Sequence, residues 1–228
     1  MTQGDFRNTL FLPWLNRPDL IGPSGAAMPL ATVIINRAIA RIEREVRLPC
    51  MESAIACAPD ANGFLSTIPI PADFLEAQRI EADGRPLQMI TPEGFLLKVG
   101  ASGASVVNNL GAYSYPNRMV GAPAQFFTRV QNNFLMTPYP QRYASLFYYA
   151  QFAPMTVDSD TNALLSMAPE LAMWAALSYA GSFFRMDEMQ EWEMRYQAER
   201  DAVKQQALDA DNGGGPNIVQ SGYDGGYL

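Results

Sequence analysis

The segment Asp158–Asn162 has the sequence with which a calcium-binding loop begins. It reads Asp-Ser-Asp-Thr-Asn, so an oxygen-bearing side chain stands at the first, third and fifth positions, and calcium prefers oxygen ligands. A complete loop of this kind also needs glycine at its sixth position and glutamate at its twelfth. Ala163 and Pro169 occupy those positions here. We therefore predict that this segment caps a helix instead of binding a metal.

The Gly/Ser-rich segment Gly100–Ser105 is the candidate for a phosphate-binding or nucleophile-bearing loop. It lacks the Gly-Lys-Ser/Thr end of a phosphate loop. Because Ala104 takes the place of the second glycine, it also lacks the spacing of a nucleophile elbow. The chain contains no histidine that could act as a base for Ser102. The sequence therefore predicts no catalytic residue, no bound cofactor and no metal.

Two other groups of side chains could do chemistry. Paired carboxylates could serve a glycoside hydrolase, but the candidates lie in or beside predicted turns and at exposed strand positions, where surface charge explains them: Asp73, Glu76, Glu81, Asp83 and Glu93. Clustered aromatic residues could stack on nucleic-acid bases, but no basic residues adjoin them, so packing within a sheet is the better interpretation: Phe147, Tyr148, Tyr149 and Phe152.

The charge balance argues against a protein that reads nucleic-acid sequence. The 228 residues include 16 Lys plus Arg and 23 Asp plus Glu, which gives a formal net charge of -7 and a pI of about 4.6. Nucleic-acid readers normally carry a basic patch. The densest basic region is interrupted by two glutamates and is typical of a solvated helix face: Arg37, Arg41, Glu43, Arg44, Glu45 and Arg47.

The cysteines and the longest apolar segment indicate the cellular compartment of the protein. Cys50 and Cys57 match no zinc or redox motif, and we expect both to be free in a reducing cytosol. The longest uncharged apolar segment, Leu171–Phe184, is shorter than the roughly 20 residues that a membrane-spanning helix needs. The N-terminus does not have the pattern of a signal peptide. These features predict a soluble, intracellular protein with no membrane partner.

Apolar residues recur with helical spacing in three regions. The first is Pro29–Leu48, which Pro49 ends. The second is Ala168–Phe184, which has no polar face, so we predict that it is buried on all sides. The third is Asp187–Ala210. The turn near Arg185 is short, which predicts that the second and third helices pack antiparallel.

The region Gly63–Pro154 has the features of β-structure. Its best-defined part contains three strands and one tight turn: Phe126–Val130, a turn at Asn132–Asn133, Phe134–Thr137 and Ala144–Phe152. Prolines follow the second of these strands, since proline cannot donate to a ladder. Upstream, we predict further strands, a hairpin turn and one short strand: Phe64–Ile70, Ala77–Ala82, Asp83–Pro86, Leu87–Ile90 and Phe95–Val99.

The predicted fold class is α+β: a helical bundle of the N-terminal helix and a C-terminal helix pair, with an inserted antiparallel β-domain and extended termini. The boundaries are an extended N-terminal arm at 1–28, the first helix of the bundle at 29–57, the β-domain at 58–155, the C-terminal helices at 156–210 and an extended C-terminal tail at 211–228. The Pro-rich arm has no periodicity, and we expect it to lie on another surface. The all-apolar helix needs cover, which a neighbouring subunit can supply.

In order and spacing, four parts of the chain resemble the head-to-tail adaptor (connector, or neck) proteins of tailed bacteriophages, in particular the podophage-type adaptor family. Ile35–Ile42 is similar to the family's Asn-x-Ala-x-x-x-Ile helix, and Ile68–Leu75 to its Leu-Pro-x-Asp-Phe turn. Gly121–Tyr149 resembles its Gly-x-Pro strand, Leu-x-x-Pro-x-Pro hinge and Tyr-Tyr strand. Asn162–Ala180 and the polar helix after it resemble the family's closing helix pair.

The resemblance implies a structural protein of the virion, assembled in the cytoplasm of the host bacterium. Such a protein forms a homo-oligomeric ring of about 12 copies beneath the portal protein. It contacts the tail, nozzle or next neck ring on its other side, and viral DNA passes through its channel without specific binding. The acidic balance agrees with a wall that repels phosphate.

The resemblance and the composition together assign the interaction residues. The C-terminal tail is expected to bind the portal or a neighbouring subunit: Asn217, Ile218, Val219, Tyr223, Tyr227 and Leu228. Large aromatic residues of the last two helices are expected to pack between subunits: Trp174, Trp192 and Tyr196. Two alternatives remain open, namely another neck or tail ring (a tail terminator or completion protein) and a carbohydrate-active β-domain on a helical base.

Overall fold

A computed structural model of the chain describes residues 1–17, 20, 29–59, 65, 67–101, 124–137 and 143–211. The chain divides into two compact units. Unit 1 comprises Met1–Cys50 and Phe152–Leu228, and unit 2 comprises Met51–Gln151. Unit 1 is helical and unit 2 holds the strands, so the predicted α+β class is confirmed.

Unit 1 is built from helices of very different length. In chain order they are α1 (Gln3–Phe6), a π-helical turn (Arg7–Phe11), α2 (Leu12–Leu15), α3 (Pro29–Glu45), α5 (Ala163–Met167), α6 (Pro169–Phe184) and α7 (Met189–Asp211). The sequence therefore predicted the three long helices correctly to within a few residues at their ends. We refer to residues 3–15 as the N-terminal segment.

The expectation of an extended arm at 1–28 is wrong for the N-terminal segment, which is helical. Its elements are four or five residues long, too short to show an apolar period. Pro13 lies in α2, which continues the π-helical turn directly, so its missing N–H removes one backbone bond from the helical path. Burial of Phe6, Phe11 and Leu15 against the rest of unit 1 stabilises this helical path.

Helix α6 forms the centre of unit 1. Ten of its residues are buried: Leu171, Ala172, Met173, Trp174, Ala175, Ala176, Leu177, Ser178, Ala180 and Gly181. The cover comes from α3, α7 and the N-terminal segment, with the ring of Trp14 standing 5.2 Å from that of Trp174. The predicted burial is thus confirmed, but the chain covers the helix itself and no neighbouring subunit is needed for it.

A tight turn brings α7 back along α6. Arg185 adopts a left-handed backbone with φ 56° and ends α6. Gly181 allows the close approach, because a Cβ there would lie 3.1 Å from both the Met189 Cβ and the Trp192 ring. The two helices pack antiparallel as predicted, since Ser178 on α6 bonds Glu193 further along α7.

The described residues of unit 2 form two four-stranded sheets and the helix α4. Its elements are β1 (Glu52–Cys57), β2 (Thr67–Pro69), β3 (Phe74–Ala82), β4 (Arg85–Pro86), β5 (Gln88–Met89), α4 (Pro92–Ala101), β6 (Phe126–Val130), β7 (Asn133–Thr137) and β8 (Ala144–Ala150). One sheet has the order β1-β8-β3-β4 and the other β2-β7-β6-β5. Neighbouring strands are antiparallel except β5 and β6, which are parallel.

Several details of the predicted β-region need correction. The β6–β7 turn lies at Gln131–Asn132, one residue before the predicted Asn132–Asn133, because Val130 pairs with Asn133. The short strand expected at Phe95–Val99 is part of helix α4. Residues 52–57, which were grouped with the first helix, form β1, because they pair with β8 along its whole length.

Side chains from both sheets meet in one buried cluster. Ile80, Leu146 and Tyr148 come from the first sheet, and Ile68 and Phe134 from the second. Of the aromatic residues of β8, only Tyr148 points into this core, as predicted, whereas Phe147 and Tyr149 lie on the other face of the strand.

Candidate interaction surfaces

The N-terminal segment is bonded to the loop that resembled a calcium site. The amide of Gln3 donates to the carbonyl of Asp160 at 2.8 Å, and the amide of Gly4 donates to that of Asp158 at 3.0 Å. A capping box begins α1, because Thr2 and Asp5 each bond the other's backbone amide. The segment therefore docks through backbone bonds as well as apolar side chains.

Arg7 neutralises the first carboxylate of that loop. Its side chain is 0% exposed and donates to both oxygens of Asp158, at 2.5 and 3.0 Å, while Asp158 is 49% exposed. These bonds hold the pKa of Asp158 below its usual value. A fork-shaped guanidinium bound by both carboxylate oxygens is a strongly directional contact. The pair thus determines where the N-terminal segment lies on unit 1.

The other polar residues of the loop bind backbone amides. Asp160 accepts from the amides of Thr156 and Val157 at 2.6 and 2.9 Å, which lowers its pKa. Asn162 caps α5 by accepting from the amide of Leu164 at 2.8 Å. The predicted helix cap is therefore confirmed at Asn162. Within the described part of the chain, no group of three or more His, Cys, Asp or Glu side chains could hold a metal ion.

A second polar network joins α3 to α7. Arg41 donates to both carboxylate oxygens of Glu193, at 2.9 and 2.6 Å, and its Nε donates to Glu45 at 2.8 Å. The hydroxyl of Tyr196 donates to the other oxygen of Glu45 at 2.9 Å. The bonds from Arg41, with one from Ser178, lower the pKa of Glu193 to about 2. The network therefore holds α3 and α7 in one register on α6.

A third set of contacts connects α3 to residues 152–155, where the chain re-enters unit 1. The side-chain amide of Asn36 donates to the carbonyl of Met155 at 2.7 Å, and its oxygen accepts from the Met155 amide at 3.1 Å. Glu43 is buried and accepts from the Phe152 amide at 2.7 Å. Burial raises the pKa of Glu43. Sequence reasoning missed both roles, because the contacts join residues more than 100 positions apart.

The aromatic residues assigned to packing between subunits lie inside unit 1. Trp174, Trp192 and Tyr196 are all buried, and their own chain supplies the covering side chains. Their side chains therefore pack in the core of unit 1, and their role between subunits stays a prediction. The burial of Tyr196 and its bond to Glu45 also raise the pKa of its phenol.

The outer parts of α7 and the ends of other helices leave surface for partners. An apolar cleft of about 360 Å³ lies between the second half of α7 and the α5–α6 junction. Val203 and Ala207 line it from α7, and Leu48, Met167 and Pro169 line it from the other side. Glu170, Glu199 and Gln206 also line it.

The remaining predicted site residues have different outcomes. The tail residues Asn217, Ile218, Val219, Tyr223, Tyr227 and Leu228 lie outside the described residues. Cys50 and Cys57 are free, as expected, and burial raises the pKa of both thiols, which disfavours the reactive thiolate. None of the described helices is both apolar enough and long enough to span a bilayer.

The fold and these surfaces define a scaffold-type protein: paired polar side chains hold its helices, and exposed faces remain for partners. A family model described as SU10 adaptor protein matches residues 1–220. The chain belongs to this family and is a structural adaptor of a bacteriophage, a component of the virion. The resemblance seen in the sequence is thereby confirmed. No curated protein sequence matches the chain.

Proposed function

We propose that the protein forms a ring of about 12 copies under the portal, where it links the capsid to the tail and lines the DNA channel. The observation that carries the proposal is the family match, which spans residues 1–220 of the 228. The viral portal on one side and a tail component on the other are the proposed protein partners.

The way in which unit 1 is held together supports a role in a ring wall. A closed ring requires every copy to present its two contact faces at the same angle, because errors accumulate around the circle. Directional pairs between distant parts of the chain, such as Arg7 with Asp158 and Arg41 with Glu193, keep the helices at defined positions. Such a unit can repeat without distortion.

The charge of the protein supports passage of DNA without retention. The chain carries a net charge of -7, and α7 alone has six acidic residues (Glu191, Glu193, Glu199, Asp201, Asp209 and Asp211) against three basic ones (Arg195, Arg200 and Lys204). A wall of the same sign as phosphate repels it and lowers friction from transient binding.

The C-terminal tail is the proposed contact with the portal. Its apolar and aromatic residues follow a Gly-rich stretch of the sequence: Ile218, Val219, Tyr223, Tyr227 and Leu228. A terminal segment that binds along a partner gives a large contact area for little folded mass.

Co-assembly with purified portal tests the proposal. Cryo-electron microscopy of the mixture should show a ring of this protein on the portal, and an image of the virion should show it between portal and tail. A protein that stays monomeric and never binds the portal would refute the proposal. A ring found in a layer that does not touch the portal would favour another neck ring.

A truncated variant separates the role of the tail from that of the ring. Removal of residues 212–228 should leave unit 1 folded and abolish joining to the portal. The double variant Ile218→Ser/Val219→Ser should weaken joining strongly, whereas Ser221→Ala serves as a matched control in the same tail. Normal joining by the truncated protein would contradict the role assigned to the tail.

A further inference from the structure

The outer face of α3 carries an uncompensated basic stripe. Val33, Arg37, Ala40 and Arg44 follow one another at spacings of four, three and four residues, which places them on one side of the helix. Val33 is 47% exposed, and Arg37 and Arg44 are exposed. We call these four residues the α3 stripe.

The two arginines of the α3 stripe differ from Arg41 on the same helix. Arg41 is bound by Glu45 and Glu193. The guanidinium groups of Arg37 and Arg44 form no ion pair or hydrogen bond with the described residues, although the charge of Arg44 acts on the neighbouring Glu43. The α3 stripe therefore has two cationic groups available for carboxylates of another chain.

The outer face of α7 has the matching spacing and the opposite charge. The stripe runs along the side of the helix away from Trp192 and Tyr196, and we call it the α7 stripe: Met194, Ala198, Asp201, Gln205, Leu208 and the adjacent Asp209. Met194 is 64% exposed and Leu208 is 55% exposed. Exposed apolar residues of this size at helical spacing suit contact with another helix.

We propose that the α3 stripe of one copy packs against the α7 stripe of the next copy around the ring. Both stripes repeat at alternating spacings of three and four residues, the pattern with which two helices pack at a small crossing angle. Ala40 and Ala198 allow close approach, while Val33, Met194 and Leu208 supply apolar area.

The charges agree with this pairing in sign and in distance. Arg37 and Arg44 are seven residues apart, about 10 Å along the helix, and Asp201 and Asp209 are eight residues apart, about 12 Å. Each arginine can therefore meet one aspartate. Because the two stripes are different surfaces, each contact leaves one stripe free at either end, and repetition closes a ring when the rotation between copies is a whole fraction of a turn.

Existing contacts of Asp201 do not prevent this pairing. Asp201 is bonded to Arg200 at 2.8 Å, but the Asp201 side chain is 64% exposed, and ion pairs with solvent-exposed carboxylates contribute little. Arg200 also donates to Glu45 at 3.3 Å, so it keeps a partner when Asp201 turns to the next copy. The rearrangement leaves no charge buried and unpaired.

The inference rests on the proposed ring, and reciprocal charge reversal tests it. Variant A carries Arg37→Glu and Arg44→Glu, and variant B carries Asp201→Arg and Asp209→Arg. Each variant alone should lose ring formation at least tenfold, since like charges then face each other at every contact. Arg85→Glu, an exposed reversal in unit 2, is the control that should assemble normally.

Mixing the two variants gives the decisive measurement. In the mixture, the acidic α3 stripe of A meets the basic α7 stripe of B, and the α3 stripe of B meets the α7 stripe of A in the wild-type combination. Rings of alternating copies should therefore return, with a 1:1 composition measurable by native mass spectrometry, with and without portal. Circular dichroism should show that both variants fold.

Each other outcome refutes a distinct statement. Rings formed by variant A or B alone would overturn the assigned interface while leaving the ring intact. Two inactive variants that do not restore each other would overturn the pairing of these two stripes. A wild-type protein that stays monomeric at every concentration, alone and on the portal, would overturn the ring and the interface together.

Discussion

Unit 1 and unit 2 are held together by different kinds of contact. In unit 1, polar side chains from distant parts of the chain pair across the helices, as Arg7 does with Asp158 and Arg41 with Glu193. In unit 2, backbone ladders and an apolar cluster hold the strands, and polar side chains add single contacts such as the bond that Tyr148 donates to Asp73 at 3.2 Å. Apolar packing sets an approximate arrangement, whereas paired charges also set direction.

This difference indicates that the relative positions of the helices must be defined most closely in unit 1. The helices of unit 1 carry the faces that we assign to neighbouring copies, and a ring tolerates little error in their angle. Burial of Arg7 costs free energy of desolvation, which its two bonds to Asp158 offset, so the pair requires a defined geometry. Three predictions test this contrast.

The largest expected effect comes from the core of unit 2. Phe134 is 2% exposed, and its ring stands 5.8 Å from those of Phe74 and Phe127. Phe134→Ala should lower the free energy of unfolding by about 3–5 kcal/mol, because it leaves a cavity between two sheets. Hydrogen exchange should show lost protection in β6–β8 while the amides of α6 stay protected.

The exposed Leu97 provides the control for that experiment, since Leu97→Ala should change stability by less than about 0.5 kcal/mol. Equal loss of protection in α6 and in the strands after Phe134→Ala would mean that the two units unfold together. The contrast between separately stabilised units would then be wrong.

A smaller effect is expected at the directional pair of unit 1. Arg7→Ala should destabilise the protein by about 2–3 kcal/mol, less than a fully buried pair would cost, because the partner Asp158 is 49% exposed and stays solvated. Limited proteolysis should then cut the N-terminal segment faster than any other part of unit 1. The exposed pair of Arg195 with Glu191 is the control.

Removal of that control pair by Glu191→Gln, which leaves Arg195 over the ring of Trp174, should cost about 0.5 kcal/mol or less. If Arg7→Ala were as mild as Glu191→Gln, apolar contacts alone would place the N-terminal segment. Unit 1 would then be stabilised in the same way as unit 2.

The smallest effect is a pH dependence that belongs to unit 1. Glu193 has a folded-state pKa of about 2 against an ordinary value of 4.5, chiefly because Arg41 bonds it. Its contribution, about 1–2 kcal/mol after solvent screening, is fully present above pH 4.5 and is lost as the pH falls from 4.5 towards 2. Urea unfolding at several pH values should give a shallower acid limb for Glu193→Gln than for wild type.

Glu43→Gln is the matched variant of opposite sign. Burial raises the pKa of Glu43, so its ionised form disfavours folding at neutral pH, and glutamine keeps an oxygen that accepts the Phe152 amide. This variant should be neutral or slightly more stable at pH 7. An unchanged acid limb in Glu193→Gln would show that the network contributes no pH dependence.

The sequence predicted those parts of the fold that a local period or a turn signal specifies. The helices α3, α6 and α7 follow from runs of 16 or more residues, over which apolar spacing is unambiguous. The Asp83–Gly84 turn also follows, because both residues adopt positive φ and their types allow it. The cap at Asn162 was predictable from its residue type and its place before an apolar run.

Local pattern could not assign the short elements. Helix α4 contains Phe95 and Leu96 in a run that is equally typical of a strand, and its position beside β6 decides the outcome. The sequence did not indicate strand β1, because its residues follow a helix and only their pairing with β8 makes them a strand. β6 and β8, which are close in sequence, lie in different sheets.

For the interaction residues, the sequence and the tertiary structure also determined different properties. The sequence by itself determined the acidic charge, the absence of histidine and the order of motifs that led to the adaptor family. Only the tertiary structure decided which residues are inside: it buried Trp192 and Tyr196, docked the N-terminal segment and left the α3 stripe and α7 stripe exposed. The physical reason is that composition and period depend on neighbours along the chain, whereas burial depends on contacts between residues more than 100 positions apart.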